Sequence, residues 1–279
     1  VRGCGLKADT DIPEQGPRTM KYIGLFVSFF KASLMAELEF RFNIAARFFT
    51  DIIWYAAQLS VFEVLFRHTT SMNGWSIDET RVFMGVLFVT DAVYMLLFSE
   101  NLDRMGEKIR RGDLDLLLVK PVNSQWMLSF QKVSIAYVGN VIFSFAWLIW
   151  SLLQVQNQSL MTLFWLIITV PMSLAVVYTI RFVTAAAALF FTKADAVNYI
   201  WYQLYRLGTR PDSFYPAILR YVVLTAFPIA FLASIPAQII LGKTGPLILL
   251  WGYLLASLFI FGSTRFWKRG LRAYSSASS

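Results

Sequence analysis

Four runs of this chain, residues 81–99, 127–153, 160–191 and 246–266, are long and apolar enough to cross a lipid bilayer as helices. About 20 helical residues at ~1.5 Å each span the hydrocarbon core. A fifth run, 44–66, is also long enough. It carries Arg47 and Asp51 four apart near its start, and Glu63 and Arg67 four apart near its end. Each pair can neutralise itself on one helix face. Composition agrees with an all-α integral membrane protein. The chain is 57% hydrophobic and only 15% charged, where soluble domains carry about a quarter charged residues.

The same residues exclude several classes of function. The net charge of +8 sits mostly at the ends of apolar runs. That distribution reads as membrane orientation, and no nucleic-acid motif accompanies it. Cys4 is the single cysteine, so there is no intrachain disulfide, multi-cysteine metal site or CxxC pair. His68 is the single histidine, so a His-rich metal site or HExxH protease is excluded. No nucleophile with a base and an orienting partner can be assembled. Gly242-Lys243-Thr244 resembles the tail of a phosphate-binding loop, but Ala237 stands where the first glycine is required. A tight turn is the expected reading.

Residues 1–19 are polar, contain Gly and Pro, and read as a disordered extension. Val1 in first position is explained if an alternative start codon was read literally and Met20 is the start. Residues 20–43 mix apolar positions with Lys21, Lys31, Glu37, Glu39 and Arg41. This is too much charge to cross a bilayer and suits a helix lying on one.

Residues 192–245 admit two readings. Hydropathy selects 214–241 as the next crossing, but Pro216, Pro228 and Pro236 suggest a broken, re-entrant hairpin there. The alternative crossing, 194–210, is short. It places Asn198, Tyr202, Tyr205 and Thr209 on one face, as a helix beside a polar path would. Both readings give six crossings.

The longest charged interval is 100–126. Its first half aligns Leu102, Met105 and Ile109 on one helical stripe. Gly112 supplies a stop, and Arg110 and Arg111 favour the negative end of the helix dipole. Pro121 closes the segment, and Asn123 and Ser124 are good caps for the next helix. Lys and Arg concentrate on one side of the membrane. Lys21, Lys31, Arg41 and Arg47 lie there, as do Arg104, Lys108, Arg110, Arg111 and Lys120, and finally Arg265, Lys268, Arg269 and Arg272. The other side has Arg67, Arg81 and Lys243. By the positive-inside rule, both termini and the 100–126 interval are expected in the cytosol.

Within the apolar runs, Asp91 stands out, since an intramembrane carboxylate points to a functional site. The alternative is a residue facing a wet cavity or neutralised by a partner such as Arg181. Gln58, Gln131 and Asn140 read as helix–helix hydrogen-bonding residues.

IRRGDLDLLLVKPVNSQ (109–125), YPAILRYVVLTAFPIAFLASIPAQIILG (215–242) and FWKRGLRAYSSASS (266–279) resemble, in that order, one branch of the type-two ABC (ATP-binding cassette) transporter membrane subunits of bacteria. The resemblance covers about residues 20–279. It implies a permease forming half of a membrane dimer, with itself or a related subunit, and docking a separate cytosolic ATPase subunit. Residues 20–43 would be the interfacial connecting helix, 100–113 the coupling helix, and 211–241 the outer re-entrant hairpin. The crossings are then 44–66, 81–99, 127–153, 160–191, 194–210 and 246–266.

The expected protein is therefore a multi-pass permease subunit of an ATP-driven transporter, an exporter, in the bacterial inner membrane. It hydrolyses nothing itself and needs no cofactor; ATP and magnesium belong to the partner ATPase. Its partners are that ATPase, a second permease subunit and membrane lipids, with no nucleic acid. ATPase coupling is expected at Leu102, Met105, Ile109, Arg110, Arg111 and Asp113. The apolar stripe either enters an ATPase groove or packs on the protein's own helices. The translocation path is expected at Asp91, Asn198, Tyr202, Tyr205 and Arg206. A lipid-modifying membrane enzyme and an ATP-independent channel are the alternatives.

Overall fold

A computed structural model describes residues 18–39, 41–155, 160–190 and 194–274. The extension expected over 1–19 lies almost entirely outside the described residues. Among these residues every regular element is helical, and one isolated bridge joins Met72 to Trp75. Among the described residues, five stretches are long and apolar enough to cross a membrane: Phe42–Phe66, Ile77–Arg111, Ile135–Gln154, Met161–Leu189 and Ile248–Ala273.

Helix α1 (Arg18–Leu38) carries exposed apolar side chains at Ile23, Val27 and Met35. Helix α2 (Arg41–Phe66) comes next, and a tight turn lies between it and the third helix. Asn73 and Gly74 have positive φ angles of 47° and 83°. Met72 and Trp75 exchange both backbone hydrogen bonds across them at 2.9 Å. Ser76 then starts α3 (Ile77–Tyr94) with a capping box. Its hydroxyl accepts from the Glu79 amide at 3.3 Å, and its own amide donates to Glu79 Oε2 at 2.7 Å.

Helix α3 is the core of the molecule. From Val82 to Val89 the apolar side chains have no exposed surface, as expected of a helix packed on every side. A single π-helical turn, Met95–Ser99, leads from α3 into the short α4 (Glu100–Leu102). Helix α5 (Met105–Arg111) stops at Gly112, whose φ is 78° and whose amide donates to Ile109 O at 3.3 Å. Helices α6 (Asp113–Leu118) and α7 (Ser124–Phe130) come after it. Asn123 Oδ1 caps α7 by accepting from the Trp126 amide at 3.0 Å.

The run 127–153 is not one helix. Helix α7 ends at Phe130, a 3-10 turn occupies Ile135–Tyr137, and α8 (Val138–Gln154) starts only after it. The break persists because side chains from elsewhere satisfy its backbone. Asn101 Nδ2 donates to Ser129 O at 3.0 Å and to Lys132 O at 2.6 Å. Asn101 Oδ1 accepts from Lys132 N at 3.1 Å. From α1, Ser33 accepts from Val133 N at 3.1 Å, and Glu37 from Ala136 N at 2.8 Å.

Helix α8 lies along α3. Gly85 permits this approach, because a Cβ there would sit 3.0 Å from Leu148 Cα. Helix α9 (Leu160–Ala186) continues through Pro171 and packs against the last long helix, Ile248–Ala273, which is α13 in chain order. Exposed Leu250, Leu254 and Leu258 make an apolar stripe on α13, one residue per turn, suited to lipid.

After α10 (Ala194–Gly208) the chain folds into short pieces: a 3-10 turn at Asp212–Phe214, α11 (Ala217–Leu224), a 3-10 turn at Ile229–Leu232, and α12 (Ser234–Ile240). A continuous crossing over 214–241 is therefore absent. Buried Asp212 fastens the two arms. It accepts from Ser234 Oγ and Gln238 Nε2, each at 2.6 Å, and from Arg220 Nε at 2.7 Å. The Gly242-Lys243-Thr244 segment is a turn, with Gly242 at φ 69°. Lys243 pairs with Glu79 at 2.7 Å and lies 5.1 Å from the Trp75 ring centroid.

Candidate functional site

Three helices enclose a cavity of about 400 Å³ beside the π-helical turn. Helix α2 contributes Asp51, Trp54 and Gln58, which its pitch places on one face. Asp91, Tyr94 and Met95 come from α3 and the start of the turn. Helix α10 and the residue just after it add Trp201, Tyr202, Tyr205, Arg206 and Thr209.

The polar geometry of the cavity is simple. Tyr205 Oη donates to Asp91 Oδ1 at 2.8 Å and so joins α10 to α3. The Asn140 amide of α8 donates to Asp51 Oδ2. Aromatic rings form the rest of the wall. Trp201 lies 5.8 Å from Tyr205 and 6.0 Å from Tyr94 between centroids, and Trp54 lies 6.5 Å from Tyr205. Trp201 is buried, whereas Tyr202 and Arg206 lie exposed at the rim. Among the described residues, no three His, Cys, Asp or Glu side chains gather as a metal site.

Four of the five residues expected on the path, Asp91, Tyr202, Tyr205 and Arg206, thus line one cavity. The side chain of the fifth, Asn198, lies outside the described residues. Asp51, Trp54, Gln58 and Trp201 are additional wall residues that the sequence reading did not place there. The spacing of Asp51, Trp54 and Gln58 on one helix face was the available signal, hidden by the expected pairing of Asp51 with Arg47.

That pairing does not form, and the other expected partners of charged residues also change. Arg47 approaches Glu100 at 3.7 Å and Ser134 Oγ at 3.4 Å. Glu63 pairs with Arg81 at 2.6 Å, not with Arg67. Arg181 does not neutralise Asp91. Its Nε donates to Asp103 Oδ1 at 3.0 Å, and its guanidinium lies 5.8 Å from the centroid of Trp201. In each case the partner comes from another helix or loop that tertiary packing brings close.

The expected coupling residues divide into two groups. Leu102, Met105 and Ile109 are 1%, 0% and 8% exposed. The stripe packs on the protein's own core, with α5 resting against α9, α10 and the 3-10 turn Ala187–Leu189. Of the two readings of the stripe, its burial favours packing on the protein's own helices over a knob in a partner's groove. Arg110 and Arg111 are exposed and Asp113 too lies at the surface. Arg111 pairs with Glu107 one turn back. On the adjoining α6, Leu116 is 71% exposed, and Val119 just beyond it 82%. Sequence periodicity gave no hint that these two face outward.

A second, larger groove of about 800 Å³ lies where α1, α7 and α13 meet, lined chiefly by aromatic and aliphatic side chains such as Phe26, Trp126 and Ile260.

The all-helical fold and the apolar crossings fit a membrane transport protein. The sequence model of one family, described as an ABC-2 family transporter protein, matches residues 52–278. The chain belongs to this ABC-2 transporter family. The comparisons with curated proteins and with solved structures gave no match. The family match takes in most of α2, all of α3 and α10, the α5–α6 elbow and the Asp212-fastened segment. As a member of this family the chain is a transporter component.

Proposed function

We propose that this ABC-2 subunit forms half of a translocation path and is driven by a separate cytosolic ATPase, as an exporter in the bacterial inner membrane. The second half is another permease subunit, the same or related, seated against the open rim at Tyr202 and Arg206. Helix α10 serves as a short fifth crossing, giving six, and residues 211–241 serve as the re-entrant hairpin on the outer side. The basic side of the molecule, with both termini, faces the cytosol.

One observation carries this reading. The helical elbow that a partner can reach is joined to the cavity wall by a short chain of contacts. Asp103, between α4 and α5, holds Arg181 of α9, and Arg181 lies against Trp201 of α10. Trp201 lines the cavity. A push on the elbow therefore reaches the wall through a charged pair and an aromatic ring. The docking face is formed by Arg110, Arg111 and Asp113, with Leu116 and Val119 beside them. ATP and magnesium act in the partner, and this chain supplies the path and the lever.

The test is co-purification of this chain with an ABC ATPase subunit from its native membrane. Arg110→Glu with Arg111→Glu, or Leu116→Asp with Val119→Asp, should abolish capture of the ATPase while the permease remains folded in the membrane. Undiminished capture by both double variants would overturn the docking face. Sustained ATP hydrolysis by the purified chain alone would overturn the division of labour.

A further inference from the structure

We propose that the cavity between α2, α3 and α10 binds an amphiphilic organic cation, an ammonium-type charge carried on an apolar body. The inference rests on the reading of this cavity as the translocation path and adds the class of cargo.

Two carboxylates, Asp51 and Asp91, line this cavity within membrane-crossing segments. A charge at membrane depth is costly and calls for a counter-charge or a wet surrounding. Among the described residues, no Lys, Arg or His nitrogen pairs with either carboxylate within 4 Å. Their hydrogen bonds are to neutral groups, Tyr205 Oη and the Asn140 amide.

The nearby cations are otherwise engaged or peripheral. Arg47, one turn before Asp51, leans to Glu100. Arg181 is held by Asp103 behind Trp201. Arg206 is at the rim. The deep wall thus presents two carboxyl groups with no cation in contact with either.

The remaining wall is aromatic: Trp54, Tyr94, Trp201, Tyr202 and Tyr205. Aromatic faces attract cations, and cages of them recognise ammonium groups. The same rings accept an apolar body. At about 400 Å³ the cavity is within the range that holds small organic ligands. An anion would find two carboxyl groups and, of the cations, only Arg206 at the rim.

Equilibrium dialysis with the purified chain in lipid nanodiscs tests this, with empty nanodiscs as the blank. The probes are tetraphenylphosphonium and tetraphenylborate, which share shape and apolar surface and differ in the sign of charge. Saturable excess binding is expected for the cation only. Asp91→Asn should weaken it about tenfold or more, as loss of a charge-assisted contact implies. Tyr202→Ala, at the exposed rim, should weaken it several-fold; because this position is exposed, the variant keeps the test decisive if Asp91→Asn does not fold. Equal binding of both ions, or cation binding unchanged in both variants, would overturn the proposal. No ATPase is needed, so the outcomes separate. Absent cation binding with intact ATPase capture removes the cargo class alone. Cation binding without ATPase capture removes the coupled-permease reading and leaves the site.

Discussion

The buried side chain of Asn101 hydrogen-bonds both backbone groups of Lys132, donating to its carbonyl at 2.6 Å and accepting from its amide at 3.1 Å. Glu100, the preceding residue, binds the Lys132 ammonium at 3.0 Å. Residues 100 and 101 therefore grip the unwound link between α7 and α8 by both its backbone and its side chain. The same link is held from α1 by Ser33 and Glu37. Helix α1, the end of the α3–α4 rod and the break before α8 meet at one polar junction. Its parts are about 100 residues apart for α1 and about 30 for Asn101.

Asn101→Leu should destabilise the protein substantially. It removes the partners of one amide and two carbonyls, at about 1–3 kcal/mol for each group left buried and unsatisfied. Thermal unfolding in detergent should show a clearly lower midpoint. A midpoint matching that of the wild type would mean that water or repacking satisfies the link.

Breaking the Asp103–Arg181 pair should be costly from one side in particular. Arg181 is 1% exposed, and Asp103 is 40% exposed. Asp103→Asn takes the Asp103 charge away from a buried guanidinium, a loss of about 3–5 kcal/mol for a fully buried pair and less here because Asp103 reaches solvent. Replacing both residues, as Asp103→Asn with Arg181→Met, should recover part of that stability. A double variant no more stable than Asp103→Asn alone would show that Arg181 has other roles in the core.

Gly85→Val should disrupt the α3–α8 contact. A Cβ at this position meets Leu148 Cδ1 at 2.9 Å and its backbone Cα at 3.0 Å, so the helix itself has to move. Overpacking of this kind costs about 1–3 kcal/mol. Gly262→Ala makes a suitable control, because nothing lies within 4 Å of a Cβ built there. The expected result is a lowered unfolding midpoint for Gly85→Val and no lowering for Gly262→Ala.

On the α5–α6 elbow, the two faces should separate folding from docking. Met105→Asp places a charge where no surface is exposed and should reduce the yield of folded protein. Arg110→Glu changes an exposed residue and should leave yield and unfolding midpoint intact while weakening ATPase capture. If Met105→Asp folded normally and lost capture, the buried packing of this stripe would be refuted.

Much of the local architecture was legible in the sequence because its causes are local. The Gly112 stop and the Asn123 cap each depend on the preference of a single residue. The three prolines around 214–241 announced that no single helix would form there, and Asp212 supplied the fastening that no local rule foretold. The run 127–153 misled because apolar composition favours a helix, whereas the break at 131–134 depends on Asn101, Ser33 and Glu37 arriving from elsewhere.

By itself the amino-acid sequence determined that the chain is helical and built to cross a membrane. It also determined which face of α10 is polar and, through its motifs, to which family the chain belongs. Apolar length, helical periodicity and charge placement decide such properties without reference to distant residues. Only the tertiary structure decided which charges pair and which face of the elbow is free. A pair of charges on one helix face contributes only about 0.2–0.5 kcal/mol, too little to outweigh a partner supplied by a packed neighbour. So Arg47 leans to Glu100, Glu63 pairs with Arg81 and Arg181 with Asp103, leaving Asp51 and Asp91 with neutral partners in one aromatic cavity.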